Sequence, residues 1–138
     1  MPLTDHAGGE ILEPEQCRWL LRSRTVGRLA VISEGRPLIF PVNYAFADDE
    51  VVFRTSEGTK MSAALAEPVA FEIDDLDEGR RTGWSVLVQG RAALITKDDR
   101  PNVQSLTRVP LEPWQRGKVF WLRIAPTSIT GRRVERAT

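Results

Sequence analysis

The sequence predicts a small, mainly β protein with short α-helices that folds as a closed or partly closed antiparallel barrel. Apolar segments of strand length follow one another, the turns between them are short and rich in Gly, Pro and Asp, and helical segments are few. The alternation of strands and helices typical of a doubly wound fold is absent, as is any GxGxxG after a strand. We expect about six or seven strands, paired mostly as hairpins. One sheet with so few helices leaves apolar surface uncovered, which makes a dimer plausible.

The first half of the chain predicts one helix and three strands. Residues 13–24 (EPEQCRWLLRSR) begin with acids and Pro and end with Arg, and their apolar residues Cys17, Leu20 and Leu21 recur at helical spacing. Strands are predicted at 28–33 (RLAVIS), 38–46 (LIFPVNYAF) and 51–55 (VVFRT). The turns EGRP and ADDE between them favour an antiparallel meander.

The second half predicts a short helix and four further strands. The helix covers 59–67 and ends before Pro68, with Met61, Ala64 and Leu65 on one side. Strands are predicted at 69–73, 84–95, 119–125 and 128–134, with a bend or bulge at Gly90 in the long one. Residues 97–116 are polar and contain three prolines, so we expect at most short helical turns there.

Length and composition indicate a single globular domain. The chain has 138 residues, of which 41% are hydrophobic and 28% charged. A chain of this size buries about two-thirds of the surface that its unfolded form exposes. We expect a flexible N-terminus over residues 1–12 and one domain over residues 13–138.

The charge and the rare residue types exclude several functions. Basic and acidic residues balance at 19 each, which argues against a nucleic-acid partner. From residue 100 onward the chain has eight Lys and Arg but only two Glu. This basic C-terminal third could bind an anionic ligand or form a solvated face. Cys17 and His6 are the only residues of their types, so an intrachain disulfide, a cysteine zinc cluster and a histidine triad are excluded.

Neither a signal peptide nor a membrane span is predicted. The N-terminal residues lack a basic start and an apolar core, and no apolar run approaches the roughly 20 residues that span a bilayer. We therefore expect a cytoplasmic protein without a membrane partner.

A cluster of cations and hydroxyls lies where the third strand leads into the second helix, in FRTSEGTK (53–60). Arg54 and Lys60 supply charge, Thr55, Ser56 and Thr59 supply hydroxyls, and the helix presents its first amides at the same place. This combination suits a phosphate monoester, although GxxxxGK[ST] is absent and nucleotide hydrolysis is not indicated. An ordinary capped helix start remains the alternative.

The residues Pro41, Val42, Asn43 and Tyr44 interrupt a strand pattern with a proline. A proline has no N–H to donate to the hydrogen-bond ladder between strands, so we expect this strand to lie at a sheet edge or to be distorted. The backbone groups beside the proline could then bind the edge of a planar heterocycle. A protected edge strand is the alternative.

Two tryptophans lie beside polar residues that could contact a flat anionic ligand. They are Trp84, followed by Ser85, and Trp121, which shares a strand face with Arg123. Core or dimer interface is the alternative for both. Asp74, Asp75, Asp77 and Glu78 are expected in one exposed loop, and without a nearby histidine they predict no metal site.

The order of five segments resembles that of a known family. GRLAVISEGRPLIFPVNYAF, VVFRTSEGTKMSAAL, PVAFEIDD, RTGWSVLVQGRA and FWLRIAPTSITGRR are similar, in order and spacing, to the pyridoxamine 5′-phosphate oxidase-like flavin-binding split-barrel proteins, particularly their small actinobacterial-type branch. The resemblance runs from about Glu13 to Arg133. It implies a six-stranded antiparallel split β-barrel and a homodimer with two FMN sites at the subunit interface.

The resemblance also assigns residues to the FMN site. It places Arg54, Thr55, Ser56, Thr59 and Lys60 around the ribityl phosphate. It implies that the backbone of Pro41, Val42, Asn43 and Tyr44 lies along the isoalloxazine ring, and that the strand with Trp84 and Ser85 contacts the flavin. Trp121 and Arg123 are candidates for the contribution of the partner chain.

The family suggests an FMN-dependent oxidoreductase that transfers hydride through flavin N5 to or from an unidentified small molecule. The Arg-x-His signature of the vitamin-B6 oxidases is missing, since the chain ends ITGRRVERAT, and no histidine follows His6. Vitamin-B6 oxidase activity is therefore not expected. The alternatives are a deazaflavin-dependent reductase and a flavin- or haem-binding protein that stores or senses its ligand without turnover. No catalytic residue is assigned, because the cofactor carries the chemistry.

Overall fold

The structure is a computed structural model that describes residues 3–4, 9–56, 58–96 and 119–135. The predicted polar segment 97–116 lies outside these residues. In chain order the elements are β1 Leu3–Thr4, β2 Glu10–Ile11, α1 Pro14–Ser23, β3 Val26–Ser33, β4 Arg36–Ala47, β5 Glu50–Ser56, α2 Thr59–Ala66, β6 Val69–Asp77, β7 Thr82–Leu94 and β8 Val119–Val134.

The six long strands form a closed antiparallel barrel. They neighbour one another in the order β8-β5-β4-β3-β6-β7, and pairing between β7 and β8 closes the ring. The two-residue strands β2 and β1 extend the sheet outward from β8, with Glu10 opposite Arg133. The predicted mainly β split-barrel fold is confirmed.

Alternate residues of each strand fill the barrel, as the period of a β-strand requires. On β6 the predicted inward face is confirmed, because Val69, Phe71 and Ile73 are buried. The ring of Phe71 packs edge-on against that of Tyr44, with centroids 4.7 Å apart. Buried residues of the strands and of both helices form one hydrophobic core cluster.

Both helices pack an apolar side onto this core. The amide of Glu13 donates to Gln16 Oε1 at 2.8 Å and so caps the start of α1, which Pro14 opens. Helix α1 buries Cys17, Leu20 and Leu21, as its spacing predicts, and α2 buries Ala63 and Ala64, with Met61 and Leu65 partly buried beside them. Among the described residues, neither helix has the length and apolar character that crossing a membrane requires.

The C-terminal part of the barrel differs from the sequence prediction. The two strands expected at 119–125 and 128–134 are one continuous strand, β8, because its pairing with β7 runs from Leu122 to Val134 across the expected break. The predicted irregularity at Gly90 is confirmed, and it explains the continuity: Gln89 pairs with Ser128 but Gly90 pairs with Pro126. The ladder absorbs Thr127 as an extra residue, so Pro126 does not end the strand.

The acidic segment also differs from prediction. Strand β6 continues to Asp77, so Asp74 and Asp75 pair with β7 instead of lying in a loop. Arginines oppose these carboxylates, with Arg24 Nη2 at 3.0 Å from Asp75 Oδ2 and Arg28 Nη2 at 2.6 Å from Asp74 Oδ2. Opposite charge allows the acids to remain in the sheet.

Strands β4 and β5 pair over only part of their length, and the gap where they separate is the split of the barrel. These strands pair only from Tyr44↔Phe53 to Ala47↔Glu50. Beyond that point β5 continues against β8 through Ser56, while β4 continues against β3 back to Arg36. The split therefore lies beside Arg54 and Asn43, the residues that follow the last β4–β5 pair.

Candidate functional site

The segment from β5 to α2 carries the predicted phosphate-binding side chains in an alternating arrangement. Phe53 faces the core, so Arg54 and Ser56 lie on the opposite side of β5 and Thr55 points inward. Arg54 is only 8% exposed, which is unusual for an arginine. Thr55 is 1% exposed, and its hydroxyl donates to the carbonyl of Ser56 at 3.2 Å. A direct side-chain contact from Thr55 to a ligand therefore needs a rearrangement.

Helix α2 begins immediately after the strand with Gly58 as its N-cap. The amide of Ser62 donates to the Gly58 carbonyl at 3.0 Å, so the amides of residues 59–61 precede the first intrahelical donor. Gly58 has φ of 153°, a backbone conformation that suits glycine, and it offers no capping side chain. The alternative of a helix start capped by its N-cap side chain is thus not what the structure shows. Thr59 is exposed and Lys60 is half-buried at this end.

Strand β4 borders the split with both backbone and side chains. The amide of Tyr44 donates to the carbonyl of Thr25 on the β3 side at 2.9 Å. Because backbone groups alternate along a strand, those of Asn43 and the carbonyl of Pro41 point the other way, toward β5. Pro41 consequently removes no donor from the β3–β4 ladder, in which it pairs with Arg28. Val42 and Tyr44 direct their side chains into the core.

Trp121 and Arg123 lie beside Arg54 on the same side of the sheet. Trp121 is the cross-strand partner of Arg54, and the guanidinium carbon lies 5.5 Å from the centre of the Trp121 ring. Arg123 is the next outward-facing residue of β8 after Trp121, and its Nη1 lies 3.6 Å from Oε1 of Glu50 on β5. The shared face predicted for Trp121 and Arg123 is confirmed by the burial of Leu122 between them.

Trp84 and Ser85 lie at the other end of the β7–β8 hairpin. Trp84 pairs with Arg133, whereas Leu94 pairs with Leu122, next to Trp121. Residues 84 and 94 are ten positions apart, which is roughly 33 Å along a strand. One chain does not bring Trp84 and Ser85 to Arg54.

A polar cleft of about 550 Å³ surrounds Trp84. The guanidinium of Arg24 lies 5.2 Å from the centre of the Trp84 ring and also pairs with Asp75. With Trp84, the residues that line the cleft are Asp75, Asp77, Thr82, Gly83, Arg133, Val134 and Glu135. This end of the barrel therefore combines an aromatic ring with charges of both signs.

Two buried ionisable groups are unsuited to proton transfer. Burial raises the pKa of the Tyr44 phenol well above its usual range, and its hydroxyl donates to the carbonyl of Leu21 at 2.7 Å. Burial likewise raises the pKa of the Cys17 thiol, which is 1% exposed. Neither group titrates readily at neutral pH.

The sequence analysis missed two residues that contact predicted site residues. Lys60 Nζ lies 5.5 Å from the centre of the Phe40 ring, and Arg24 lies over Trp84. In the structure Phe40 lies on the same side of β4 as Val42 and Tyr44, partly buried against the core, but no local pattern connects it to α2. Contacts between residues this distant in the chain become visible only in the fold.

Comparisons with known proteins found similar chains. The family described as pyridoxamine 5′-phosphate oxidase matches residues 13–133. An uncharacterized protein of Mycobacterium tuberculosis, Rv0080, is 35% identical over 130 residues, which cover 89% of this chain and 84% of that protein. The match therefore extends over nearly the whole chain.

Two solved structures share the fold. The FAD binding protein from Mycobacterium smegmatis is 40% identical, with a TM-score of 0.73, over 91% of this chain and 99% of that one. A FAD-binding protein from Mesorhizobium loti is 25% identical, with a TM-score of 0.74, over 92% and 99%. The range of the family match includes the split and the β5–α2 segment.

Proposed function

This chain belongs to the pyridoxamine 5′-phosphate oxidase family, and from that membership we propose that it is a flavin-binding oxidoreductase with FMN as its cofactor. The similar proteins from Mycobacterium smegmatis and Mesorhizobium loti are both described as FAD-binding, which supports a flavin as the class of ligand.

The observation that carries the proposal is the position of Arg54 beside the split, one short turn before a helix N-terminus. A guanidinium presents several donors in a fixed geometry, and a helix N-terminus favours negative charge. Arg54 is 8% exposed on a paired strand, so its backbone is fixed and its charge is little screened by solvent. A phosphate monoester fits both features.

In this arrangement each part of the flavin has a distinct set of residues. The ribityl phosphate is held by Arg54, Ser56, Thr59 and Lys60 together with the first amides of α2, while the backbone of Thr55 completes the turn. The edge of the isoalloxazine ring accepts and donates hydrogen bonds along β4, where the backbone groups of Asn43 point toward the split. Pro41 keeps this side of β4 open.

The choice between FMN and FAD depends on what lies beyond the phosphate. Both flavins carry the ribityl phosphate that Arg54 and Lys60 would bind, and FAD continues into an adenylate. The phosphate cradle therefore suits either flavin, and direct comparison of the two is part of the test. A deazaflavin coenzyme is the further candidate, because its acidic tail suits basic residues such as Arg132 and Arg133 of β8.

The proposed chemistry divides between cofactor and chain. A bound flavin supplies hydride transfer at its N5 atom, to or from a small molecule that is not yet identified. The chain binds the phosphate and orients the ring along β4. Burial raises the pKa values of Tyr44 and Cys17, so neither is assigned an acid–base role.

A homodimer completes the proposed site. Trp84 lies roughly 33 Å along β7 from Leu94, which pairs with Leu122 next to Trp121. Trp84 and Ser85 therefore reach a flavin at Arg54 only from a second copy of the chain. Trp121 and Arg123, on the exterior of the barrel, are equally placed to contact a second copy. Light scattering during gel filtration tests this arrangement, and a monomer that binds flavin with native affinity would contradict it.

The experiment for the whole proposal is purification followed by visible absorption and turnover. We expect flavin absorption that bleaches anaerobically with NADH, NADPH or reduced deazaflavin and returns with a quinone or nitro acceptor. The rival function, binding without turnover, is favoured by the purely ligand-binding character of Arg54, Lys60 and the helix amides. Bound flavin that no donor reduces would establish the rival, whereas absence of flavin binding would exclude both.

A further inference from the structure

Each cation of the proposed phosphate site lies over an aromatic ring from a neighbouring strand. The guanidinium carbon of Arg54 is 5.5 Å from the centre of the Trp121 ring in β8. The ammonium nitrogen of Lys60 is also 5.5 Å from the centre of a ring, that of Phe40 in β4. Both distances lie within the range of about 6 Å in which a ring face attracts a cation.

The sheet itself fixes the pair formed by Arg54 and Trp121. The two residues are directly opposite in the β5–β8 ladder, so their side chains leave neighbouring backbone positions on one face of the sheet. Arg54 is 8% exposed and Trp121 is half-buried. Little water competes for the guanidinium, which strengthens its attraction to the ring.

The pair formed by Lys60 and Phe40 restrains a side chain that would otherwise be mobile. A lysine has many rotamers, and ordering them opposes ligand binding. Phe40 is fixed, because it pairs with Leu29 in β3 and its ring packs partly against the core. An ammonium held over that ring samples fewer directions before the ligand arrives.

We propose that Trp121 and Phe40 are positioning residues that hold Arg54 and Lys60 in the geometry for phosphate, and that the two rings thereby set the preference for a phosphorylated flavin over riboflavin. This inference rests on the proposed flavin function. It gives Trp121 a role through Arg54, in place of the stacking on the ligand ring that the sequence suggested. Phe40 acquires a role that the sequence did not indicate.

The distinguishing quantity is the ratio of the riboflavin Kd to the FMN Kd. Riboflavin has the same ring system and ribityl chain but no phosphate, so disordering the cations weakens FMN alone. Loss of a ring that stacks on the flavin, or loss of packing, weakens both ligands equally and leaves the ratio unchanged. The ratio thus separates positioning from both other roles.

The test uses Phe40→Leu and Trp121→Leu, with ring-retaining variants Phe40→Tyr and Trp121→Phe. Matched controls are Phe46→Leu, a buried phenylalanine on the same side of β4, and Trp19→Leu, an exposed tryptophan of α1. Flavin fluorescence quenching gives each Kd, and thermal melting confirms the fold of each variant.

We expect each leucine variant of the pair to lower the ratio by about five- to tenfold, as cation–π attraction of ordinary strength implies. The ring-retaining variants and both controls should keep the ratio within about twofold of the native value, on the same scale. An unchanged ratio in Phe40→Leu and Trp121→Leu overturns the inference. A native chain that binds neither flavin overturns the proposed function instead.

Discussion

The hydroxyl of Tyr44 donates a 2.7 Å hydrogen bond to the carbonyl oxygen of Leu21. Leu21 lies in the last turn of α1, where carbonyls have no partner within the helix, and both residues are fully buried. Tyr44, a strand residue next to the split, therefore supplies the hydrogen-bond donor for a carbonyl at the end of helix α1. This bond ties β4 to α1.

Replacement of Tyr44 by Phe should lower the free energy of unfolding by about 1–3 kcal/mol, because the Leu21 carbonyl stays buried without its donor. Urea denaturation measures the change. Thr127→Val is the matched control, since Thr127 donates to the Gln89 carbonyl in an exposed position and water can replace it. Equal effects of the two substitutions would contradict this account of the buried bond.

Replacement of Gly90 by Ala should destabilise the barrel by about 1–3 kcal/mol or more, the usual range for overpacking. A Cβ atom at Gly90 would lie 2.1 Å from the Ala125 carbonyl oxygen, and that oxygen belongs to the backbone of β8 and cannot turn aside. At Gly79 the nearest atom is at 3.5 Å, so Gly79→Ala should change stability by less than about 0.5 kcal/mol. Thermal melts of both variants test the comparison, and a native melting temperature for Gly90→Ala would show that β8 can move.

The carboxyl groups of Glu72 and Asp74 should produce opposite pH dependences of stability. Burial and a hydrogen bond with Asp74 raise the pKa of Glu72, whereas that same bond, and then Arg28, lower the pKa of Asp74. The folded state thus holds the proton of Glu72 more tightly than the unfolded state does. Its contribution is complete at low pH and is lost as pH rises above about 4.5, the unfolded value.

For Asp74 the sign is reversed: its contribution is present above pH 3.8 and is lost as pH falls below that value. We expect Glu72→Gln to remove the decline above pH 4.5 while keeping the loss at lower pH. The side chains of Glu72 and Asp74 are 33% and 27% exposed, so solvent screens their interactions and the change should stay below about 1 kcal/mol. Urea denaturation from pH 3 to 7 measures it, with exposed Glu67→Gln as the control, and a native slope in Glu72→Gln would refute the assignment.

Removal of both site cations should weaken FMN selectively. The double variant Arg54→Met and Lys60→Met keeps side-chain length and loses charge, so we expect FMN to bind about 100-fold more weakly and riboflavin about as before, given charged hydrogen bonds of ordinary strength. Isothermal titration measures both. The control is Arg22→Met with Arg36→Met, which removes the same charge from exposed positions. A parallel loss of riboflavin binding would indicate a defect in the fold.

Local patterns in the sequence predicted most of the fold. Period-two alternation identified the inward face of β6, turn residues identified the β3–β4 and β4–β5 hairpins, and Gly90 marked the bulge. The errors arose where a distant strand outweighs local preference. Pro126 suggested a strand break that the bulge opposite Gly90 removes, and the aspartates suggested a loop that Arg24 and Arg28 stabilise as a strand.

The candidate site was predictable in its parts but not in its arrangement. Arg54, Ser56 and Lys60 stand out because a strand rarely ends in such a cluster. The rings over Arg54 and Lys60 come from β8 and β4, far away in the chain, and only the barrel brings them near. The distance of Trp84 from this cluster likewise follows from the β7–β8 register, which no local pattern reveals.

The most direct measurement of the central claim is titration of the flavin-free native chain with FMN, FAD and riboflavin, followed by flavin fluorescence. We expect saturable binding of one flavin per chain, with FMN or FAD at least about tenfold tighter than riboflavin, because a charged phosphate contact contributes about that much or more. No saturable binding, or equal affinity for riboflavin and its phosphorylated forms, would contradict a phosphate site at Arg54 and Lys60.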